Sequence, residues 1–511
     1  MPDPATTTPK QAALAAAETI VPEPTGLVEY RSEGRLLIIG TSETVSAALP
    51  LLDDTLKPRC LLTEATDTPP EDIAFETSPR DEITVSGYMG AFEVTSRAGT
   101  YACDLVLDLE EPPRLNAALP PPGYFAPARI SQKLVDSANQ LNELVGRFEK
   151  PQYFKLRTDI CAHGASELPG CRRCLDACPA EAIFSIGDKV EVNPYLCQGG
   201  GVCATVCPTG AISYAYPSVG DNLDRVRRML RAFGEAGAGR PALVLHTEAF
   251  DVTALADDEL PLCLEELASV GLELWLSALA FGARQVLLVR DAGISDVVLQ
   301  ALQEQRRIAN AILDGLELSA AVQWYGAEQH QPMPVIKPAT FGAGSGGKRE
   351  ILFAALDHLV EQKSAPADLI SLPPGAPLGT VKVDDGCTLC MACASVCPAK
   401  ALADGDGVPA LRFYEANCVQ CGLCETACPE KVIRLEPRLM TQSARRLKAV
   451  VLNEEAPFNC VRCSKPFATL SVINKMTAQL SSHSMFQDEA SLNRLKMCGD
   501  CRVLDMMKED A

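Results

Sequence analysis

Four cysteines of this chain are followed directly by proline, and each of them ends a run of closely spaced cysteines. Two of these runs share the spacing C-x2-C-x2-C-x3-C-P: Cys387, Cys390, Cys393 and Cys397, and then Cys418, Cys421, Cys424 and Cys428. Thiolates at this spacing bind cubane iron–sulfur clusters, with three from one run and the fourth from its neighbour. Proline suits the end of such a loop because it has no N–H and cannot continue a regular ladder. The spacing therefore predicts two 4Fe–4S sites in this part of the chain.

Two further runs lie upstream, and each departs from this pattern at one position. In the first, nine residues separate Cys161 from Cys171, and Cys174 and Cys178 follow. In the second, Gly200 occupies the second ligand position between two cysteines: Cys197 and Cys203, with Cys207 before the proline. Glycine has no side-chain atom that could bind iron, so this run provides one thiolate fewer.

The crossed-ligand rule groups the cysteines of the four runs into four predicted sites. Three of these sites have four thiolates each: Cys387, Cys390, Cys393 and Cys428; Cys397, Cys418, Cys421 and Cys424; and Cys161, Cys171, Cys174 and Cys207. The fourth site has three: Cys178, Cys197 and Cys203. It could hold a [3Fe–4S] cluster, a [4Fe–4S] cluster whose remaining iron takes water, hydroxide or an outside ligand, or no stable cluster. We expect one of the two cluster types.

Two C-x2-C pairs near the C-terminus form a separate set, with 34 residues between them: Cys460 and Cys463, then Cys498 and Cys501. Two such pairs can place four thiolates tetrahedrally around zinc. No proline follows these cysteines, which disfavours another cubane. We predict a structural zinc site with helices between the pairs; an iron–sulfur centre and free thiols are the alternatives.

Composition limits the class of partner. The 511 residues include 66 acidic and 46 basic side chains, for a formal net charge of −20, which disfavours nucleic-acid binding. The acidity either steers the protein toward a basic surface on a redox partner or only supports solubility. The 22 cysteines come without a secretory segment, and no stretch approaches the ~18 to 20 apolar residues of a membrane span. We therefore expect a cytoplasmic protein without a transmembrane segment.

The chain divides into six segments by hydrophobic pattern and by proline- or glycine-rich linkers. Apolar strand-like runs that alternate with amphipathic helices indicate two small α/β domains with parallel sheets. The predicted segments are a disordered tail over 1–30, a small α/β domain over 31–150, a first cysteine-rich module over 151–218, a flavodoxin-like α/β domain over 219–375, a second cysteine-rich module over 376–440, and a helical, zinc-like tail over 441–511.

Four other chemically reactive residues have simpler explanations than a site. Cys60, Cys103 and Cys263 stand in apolar surroundings, and we predict that they are core residues. His163 lies in the segment between Cys161 and the next cysteine of its run. We expect a solvated loop histidine there, with tuning or ligation of a cluster as the alternative.

The segment from Gly342 to Lys348 is rich in glycine and approaches a phosphate-binding loop. Arg349 stands where that motif needs a Ser or Thr hydroxyl for Mg²⁺, so we predict a loop that leads into a helix rather than a nucleotide site. We assign no residue of the chain to catalysis.

A pair of small or aliphatic residues follows each Cys-Pro pair: Ala182-Ile183, Ala211-Ile212, Ala401-Leu402 and Val432-Ile433. Together with the cysteine spacing, this pattern resembles bacterial-type two-cluster ferredoxins. The resemblance implies a pseudo-twofold β-α-β fold in each module and clusters close enough for rapid electron transfer. The aliphatic side chains would lie over the clusters and exclude water.

The order of motifs also resembles the large 4Fe–4S proteins encoded beside bacterial formate dehydrogenases. The segments that carry this resemblance are 161–178, 207–217 and 460–469, and Gly200 is the main departure from the ferredoxin pattern. The resemblance implies a relay of single electrons to or from a partner oxidoreductase, with a formate dehydrogenase as the candidate. An assembly or maturation factor for such an enzyme is the alternative, and an enzyme with a flavin or nucleotide in the middle domain is a third reading.

Overall fold

The computed structural model describes residues 8–68, 70, 73–127, 131–318, 322–327, 336–342, 346–486 and 488–509. The architecture is mixed α/β and contains several small sheets that follow one another along the chain. Within the described residues, no helix has both the length and the apolar character needed to cross a lipid bilayer.

A helix, α1 (Pro9–Glu18), precedes the first sheet. The sequence predicted a disordered tail over 1–30, but the described part of this segment contains a helix. Thr8 caps the helix with its side chain, and Ala13 and Ala17 are buried against a helix of the middle unit. The alanine-rich sequence gives a weak amphipathic signal, and the burial comes from residues more than 200 positions away. That is why local pattern alone missed this helix.

The N-terminal α/β unit contains these elements: β1 (Leu27–Ser32), β2 (Arg35–Gly40), α2 (Ser42–Ala48), β3 (Lys57–Leu62), β4 (Phe75–Thr77), β5 (Thr84–Tyr88), β6 (Ala91–Ser96), β7 (Gly99–Cys103), β8 (Leu105–Asp108), β9 (Tyr124–Phe125), α3 (Ser131–Glu143) and β10 (Gly146–Pro151). Five strands form a parallel sheet in the order β4-β3-β2-β8-β9. The side chains from Leu36 to Ile39 in β2 are all buried, as expected for a strand covered on both faces. Strand β1 pairs with β10 and brings the end of this unit back to its start.

The first cysteine-rich module contains β11 (Phe154–Leu156), β12 (Gly164–Ala165), β13 (Leu168–Pro169), α4 (Arg173–Ala177), β14 (Ile183–Ile186), β15 (Lys189–Val192), α5 (Val202–Val206) and β16 (Ile212–Tyr214). Strand β11 pairs with β16, and β14 pairs with β15. Helices α4 and α5 carry Cys174 and Cys203, so each short helix fixes the third cysteine position of one run.

The middle unit contains α6 (Val219–Glu235), β17 (Ala242–His246), β18 (Glu259–Cys263), α7 (Leu272–Ala280), β19 (Gln285–Leu288), α8 (Asp296–Gly315), β20 (Val322–Trp324), α9 (Lys348–Glu361) and β21 (Leu369–Ser371). Its four-stranded sheet is parallel, in the order β18-β17-β19-β20. Helix α7 is buried on all sides, with Trp275 at its centre. Residues 343–345 of the glycine-rich segment lie outside the described residues, and α9 begins directly after it.

The second cysteine-rich module contains β22 (Gly379–Val383), α10 (Ala392–Ser395), β23 (Leu402–Ala403), β24 (Ala410–Phe413), α11 (Leu423–Ala427) and β25 (Ile433–Met440). Its first strand pairs with its last, β22 with β25, and the inner strands β23 and β24 pair with each other. This is the same pairing pattern as in the first module. Helices α10 and α11 again carry the third cysteine of a run, Cys393 and Cys424.

The C-terminal segment contains α12 (Ser443–Leu447), β26 (Val450–Glu454), β27 (Pro457–Asn459), β28 (Pro466–Thr469), α13 (Leu470–Leu480), α14 (Glu489–Leu495) and α15 (Gly499–Glu509). The sequence predicted a helical tail, but three strands are also present. One of them, β26, pairs with β24 and extends the sheet of the second module beyond residue 440. Helices α13 and α14 lie between the two C-x2-C pairs, as predicted.

Candidate iron–sulfur sites

All four Cys-Pro turns have the same backbone shape. The third residue after each cysteine is left-handed: Glu181 (φ 49°), Gly210 (φ 75°), Lys400 (φ 50°) and Lys431 (φ 55°). Three of these are not glycine, and a left-handed conformation costs such residues about 1–2 kcal/mol each. The turns also present backbone donors to sulfur, because the N–H of Ala182 lies 3.4 Å from Cys178 Sγ. The equivalent bond in the second module joins Ala401 to Cys397 at 3.2 Å.

Left-handed residues also flank the second ligand position of three runs. The pairs are Leu389 and Met391, Gln420 and Gly422, and Gly199 and Gly201, with φ between 54° and 87°. Residues of alternating handedness turn successive backbone N–H groups toward one enclosed space, which favours a bound anion. The loop around Gly200 therefore has the backbone of the two complete loops, although it lacks their second cysteine.

The eight downstream cysteines line two pockets. One pocket is lined by Cys387, Cys390, Cys393 and Cys428, together with aliphatic residues that include Val432 and Ile433. The other is lined by Cys397, Cys418, Cys421 and Cys424, with Val381 and Leu435 among its apolar neighbours. Each pocket combines one cysteine from one run with three from the other. Four sulfurs in an apolar lining are the donor set that a 4Fe–4S cluster takes, so these residues fit that group.

In the first upstream run, the insertion folds into a hairpin that brings Cys171 back beside Cys161. Strands β12 and β13 pair, and the N–H of Cys171 donates to the carbonyl of Ala162 at 2.8 Å. The pKa of Cys174 is raised to about 12, first by burial and then by charges on three other thiols: Cys207, Cys171 and Cys161. These four cysteines therefore lie together, although nine residues separate Cys161 from Cys171 in the sequence.

His163 is buried within this hairpin, so the expectation of a solvated histidine is wrong. Its Nδ1 lies 2.9 Å from the carbonyl oxygen of Cys171, and its Nε2 lies 2.7 Å from the hydroxyl of Ser185. A carbonyl only accepts, so Nδ1 donates to it and Nε2 accepts from the serine hydroxyl. Both ring nitrogens are engaged, which makes this residue a brace of the cysteine loop and not a ligand.

The fourth group contains Cys178, Cys197 and Cys203. Burial raises the pKa of Cys203 well above the usual value, and charges on the other two thiols raise it further. At Gly200 an added Cβ would meet no atom within 4 Å, so there is room where the side chain of a fourth ligand would stand. The adjacent Gly199 has no such room, because a Cβ there would lie 2.8 Å from the Tyr153 ring.

A lysine, which sequence spacing gave no reason to select, stands beside this three-cysteine group. Lys150 Nζ donates to the carbonyls of Cys197 at 2.6 Å and of Tyr195 at 3.3 Å. The same ammonium lies 4.8 Å from the centre of the Tyr30 ring. Burial lowers the pKa of Lys150 to about 8, whereas the charge of Cys197 raises it. A cation in this position stabilises negative charge on the thiolates nearby.

The four groups of cysteines follow one another in space. A charged thiol raises the pKa of another thiol only when the two lie near each other. Three pairs of cysteines from different groups interact in this way: Cys203 with Cys174, Cys421 with Cys171, and Cys424 with Cys393. We name the sites in this order as outer upstream (Cys178, Cys197, Cys203), inner upstream (Cys161, Cys171, Cys174, Cys207), inner downstream (Cys397, Cys418, Cys421, Cys424) and outer downstream (Cys387, Cys390, Cys393, Cys428).

The C-terminal cysteines form a compact set. One sulfur from each of Cys460, Cys463, Cys498 and Cys501 lies within 4.8 Å of all the others. The first pair stands on the turn between β27 and β28, and the second pair lies at the start of α15. Tetrahedral ligation at ~2.3 Å per Zn–S bond requires sulfurs about 3.8 Å apart, and Cys463 and Cys498 are 3.7 Å apart. The set fits one tetrahedral metal ion and is too small for a cubane.

Of the three cysteines predicted in the core, Cys60 and Cys103 are buried, but Cys263 is exposed. Burial alternates along β18, and Cys263 falls at the end of this strand on the outward-facing side. The apolar neighbours that suggested a core position belong to the opposite face. The prediction for Cys263 is therefore wrong, and the residue lies apart from the four cysteine groups.

Comparison with known protein families gives two matches inside this chain. Residues 169–211 and residues 386–433 each match a 4Fe–4S dicluster domain. The first match covers the upstream cysteines from Cys171 to Cys207, and the second covers all eight downstream cysteines. Both lie on the modules whose strands pair in the same pattern.

Two curated relatives share short segments with the chain. Hydrogenase-4 component A of Escherichia coli (strain K12) is 43% identical over 54 residues, which are 11% of this chain and 24% of that protein. An uncharacterized ferredoxin of Methanocaldococcus jannaschii is 49% identical over 43 residues, which are 8% of this chain and 69% of that ferredoxin. The chain thus spans about a quarter of the hydrogenase component. The two dicluster domains define an iron–sulfur protein of the ferredoxin type. The chain belongs to the 4Fe–4S ferredoxin family.

Proposed function

We propose that this protein relays single electrons to or from a partner oxidoreductase and performs no substrate chemistry of its own. The observation that carries this proposal is the sorting of the eight downstream cysteines into two pockets of four sulfurs each. A 4Fe–4S cluster in each pocket supplies one-electron redox chemistry when bound. The residues around it exclude water, through Val432 and Ile433 in one pocket and Leu435 in the other.

The proposed cofactor content is three complete 4Fe–4S sites and one three-cysteine site. The outer upstream site takes a [3Fe–4S] cluster, or a [4Fe–4S] cluster with one iron open to an outside ligand. The space beside Gly200 supports either form, because it leaves the fourth position accessible. The C-terminal cysteines take a zinc ion, which would fix the β27–β28 turn against the start of α15.

The partner that we propose is a formate dehydrogenase, on the resemblance of the motif order to proteins encoded beside such enzymes. A hydrogenase is the alternative partner, because one relative is named hydrogenase-4 component A. We place the protein in the cytoplasm, where thiols stay reduced until iron and sulfide arrive.

Anaerobic purification of the full chain, with iron, sulfide and zinc counting, tests the cofactor content. The relay is tested by mixing the loaded protein with reduced formate dehydrogenase and following the iron–sulfur absorption in a stopped-flow instrument. Bleaching on the millisecond scale that reverses when an acceptor is added supports the relay. If the partner reaches full activity while the clusters stay oxidised throughout turnover, an assembly or maturation role replaces it.

A further inference from the structure

The two modules meet directly beside their cysteine loops. Arg173, two residues after Cys171, donates from Nη2 to the carbonyl of Gln420 at 3.3 Å. Gln420 immediately precedes Cys421, a member of the inner downstream site. A direct hydrogen bond therefore joins the cysteine loops of the two inner sites.

A glycine, Gly170, lies at one of the contacts between the two modules. A Cβ on Gly170 would lie 2.7 Å from Cγ of Leu423 and 2.7 Å from the carbonyl oxygen of Ala162. The first neighbour belongs to α11 of the downstream module and the second to the upstream hairpin. A larger side chain at this position would force the Leu423 side chain and the hairpin backbone to shift, so the close packing at this contact depends on Gly170.

Arg349, the residue that follows the glycine-rich segment, holds the two modules together. Its Nη1 donates to the carbonyls of Pro208 at 3.5 Å and Pro377 at 3.0 Å. Its Nη2 donates to the carbonyls of Ala416 at 2.7 Å and Cys418 at 3.0 Å. Pro208 ends the last upstream cysteine run, and Cys418 belongs to the inner downstream site. One guanidinium thus binds the backbone at both inner sites.

The charge of Arg349 has no carboxylate partner within the described part of the chain. Arg446 provides the contrast: both guanidinium groups lie over the Phe353 ring, at 5.1 Å and 4.7 Å, but Arg446 pairs with Asp357. A guanidinium stays protonated at neutral pH even when it is buried. A desolvated cation without a counter-ion is costly unless negative charge lies nearby. Thiolate ligands and the clusters that they bind provide that charge on both sides.

We propose that electrons pass between the two modules through the contact of the inner sites, and that Arg349 is the positioning residue that fixes this contact and raises the reduction potentials of both inner sites. This inference rests on the proposed relay function. The step moves one electron: the inner site of one module is oxidised as the inner site of the other is reduced, and no proton or bond is transferred. The order of sites then forms one path, with the three-cysteine site at one end and the outer downstream site at the other.

The test is a redox titration of the full, cluster-loaded chain, followed by electron paramagnetic resonance. Arg349→Met removes the cation, so each inner site should become harder to reduce, by about tenfold in the reduction equilibrium, or 59 mV for one electron. Arg349→Lys keeps the charge and should shift the potentials less. Arg446→Lys is the matched control, because it alters a buried arginine on the same ring without touching a cysteine loop.

A second readout measures the contact itself. In the fully reduced wild-type protein, magnetic coupling between the inner sites should broaden their signals, and Arg349→Lys should weaken it because an ammonium cannot bind four carbonyls at once. Iron content identifies any variant that fails to bind its clusters. If a variant fails in this way, the magnetic coupling between the inner sites of the wild-type protein still tests the proposal. Unchanged reduction potentials in Arg349→Met, or no magnetic coupling between the modules in the wild type, would contradict the proposed transfer between the inner sites. Neither result would contradict the proposed relay function. A wild-type protein with no reducible cluster would instead overturn the relay.

Discussion

The upstream and downstream modules share a backbone but differ in their ligands. Both pair their first strand with their last, and both carry the third cysteine of each run on a short helix. The downstream runs are complete, whereas the upstream runs have nine residues in place of two between the first two cysteines and a glycine in a ligand position. The left-handed residues around Gly200 nevertheless match those around Cys421. Loop shape and ligand number are therefore separate properties of the sequence.

This separation suggests different roles for the two ends of the path. The outer downstream site has four sulfurs in an apolar pocket, which suits a stable one-electron carrier. The outer upstream site has three sulfurs, free space at the fourth position and Lys150 nearby. The reduction potential of the outer upstream site should therefore be more sensitive to small ligands and to neighbouring side chains.

The largest effect is expected for Cys424→Ala in the inner downstream site. The variant removes a buried sulfur from α11, so the site should lose its whole cluster and the iron content should fall by about four per chain. Iron and sulfide assays with visible absorption measure this loss. Cys263→Ala, an exposed cysteine outside the four groups, should leave both assays unchanged. Retention of a three-iron cluster in Cys424→Ala would show that the downstream module tolerates three thiolates as well as the upstream one does.

Removal of the proposed C-terminal zinc should have the next largest effect. Metal binding needs deprotonated thiols, so affinity should fall as the pH falls and the thiolates are protonated. A zinc chelator at neutral pH, or mild acid, should loosen the 457–509 segment and speed its proteolysis. The upstream iron–sulfur absorption should not change, whereas the outer downstream site should become less stable, because β26 pairs with β24. Equal loss from both modules would contradict this view.

A reciprocal exchange at the second ligand position separates the two cluster types proposed for the outer upstream site, because only a [3Fe–4S] cluster there would gain one iron when a fourth thiolate is added. Gly200→Cys fits the open space and should convert the outer upstream site to a complete four-thiolate site. Cys421 is only partly buried, whereas Cys424 is buried, so Cys421→Gly, which copies the upstream loop, should leave a three-cysteine site that keeps a cluster. Iron counting and the magnetic resonance of the oxidised protein report both changes. Gly200→Ala, which fits but cannot bind iron, is the control, and a gain of iron in that variant would exclude ligation as the cause.

The smallest effect is expected for His163→Gln, which concerns the insertion alone. The histidine braces Cys171 and Ser185, and its replacement weakens two hydrogen bonds, at about 1 kcal/mol each. The free energy of unfolding of the upstream module should fall by that order, and the potential of the inner upstream site should shift slightly. Chemical denaturation followed at the iron–sulfur bands measures both modules in one sample. An equal change in the downstream sites would mean that the two modules do not unfold separately.

Cysteine spacing predicted four sets of ligands, and in the downstream module each predicted set lines one pocket, because a local loop and its neighbouring run together provide the sulfurs of each pocket. The buried strand β2 could also be predicted from the sequence, because a parallel strand that is covered on both faces has a continuous run of apolar residues. Helix α1 was not predictable from its own sequence, because its burial comes from a partner far along the chain.

The residues that surround the sites were harder to predict than the ligands. His163 and Lys150 act through contacts that no local spacing encodes. Arg349 attracted attention only as a mismatch to a nucleotide-binding motif. Its partners are backbone carbonyls, which every residue possesses, so the sequence carries no signal that would identify them. Positions that act through the backbone become visible only when the fold is known.

The pairing of β26 with β24 has a consequence for the life of the protein in the cell. If β26 detaches, β24 becomes an edge strand with a row of unpaired N–H and C=O groups. Such an edge can recruit strands from other chains, and it also presents an extended segment to proteases. If the proposed C-terminal zinc stabilises this end of the chain, its loss would favour such an exposed edge next to the downstream cysteines. Metal supply and protein turnover would be coupled through this one strand.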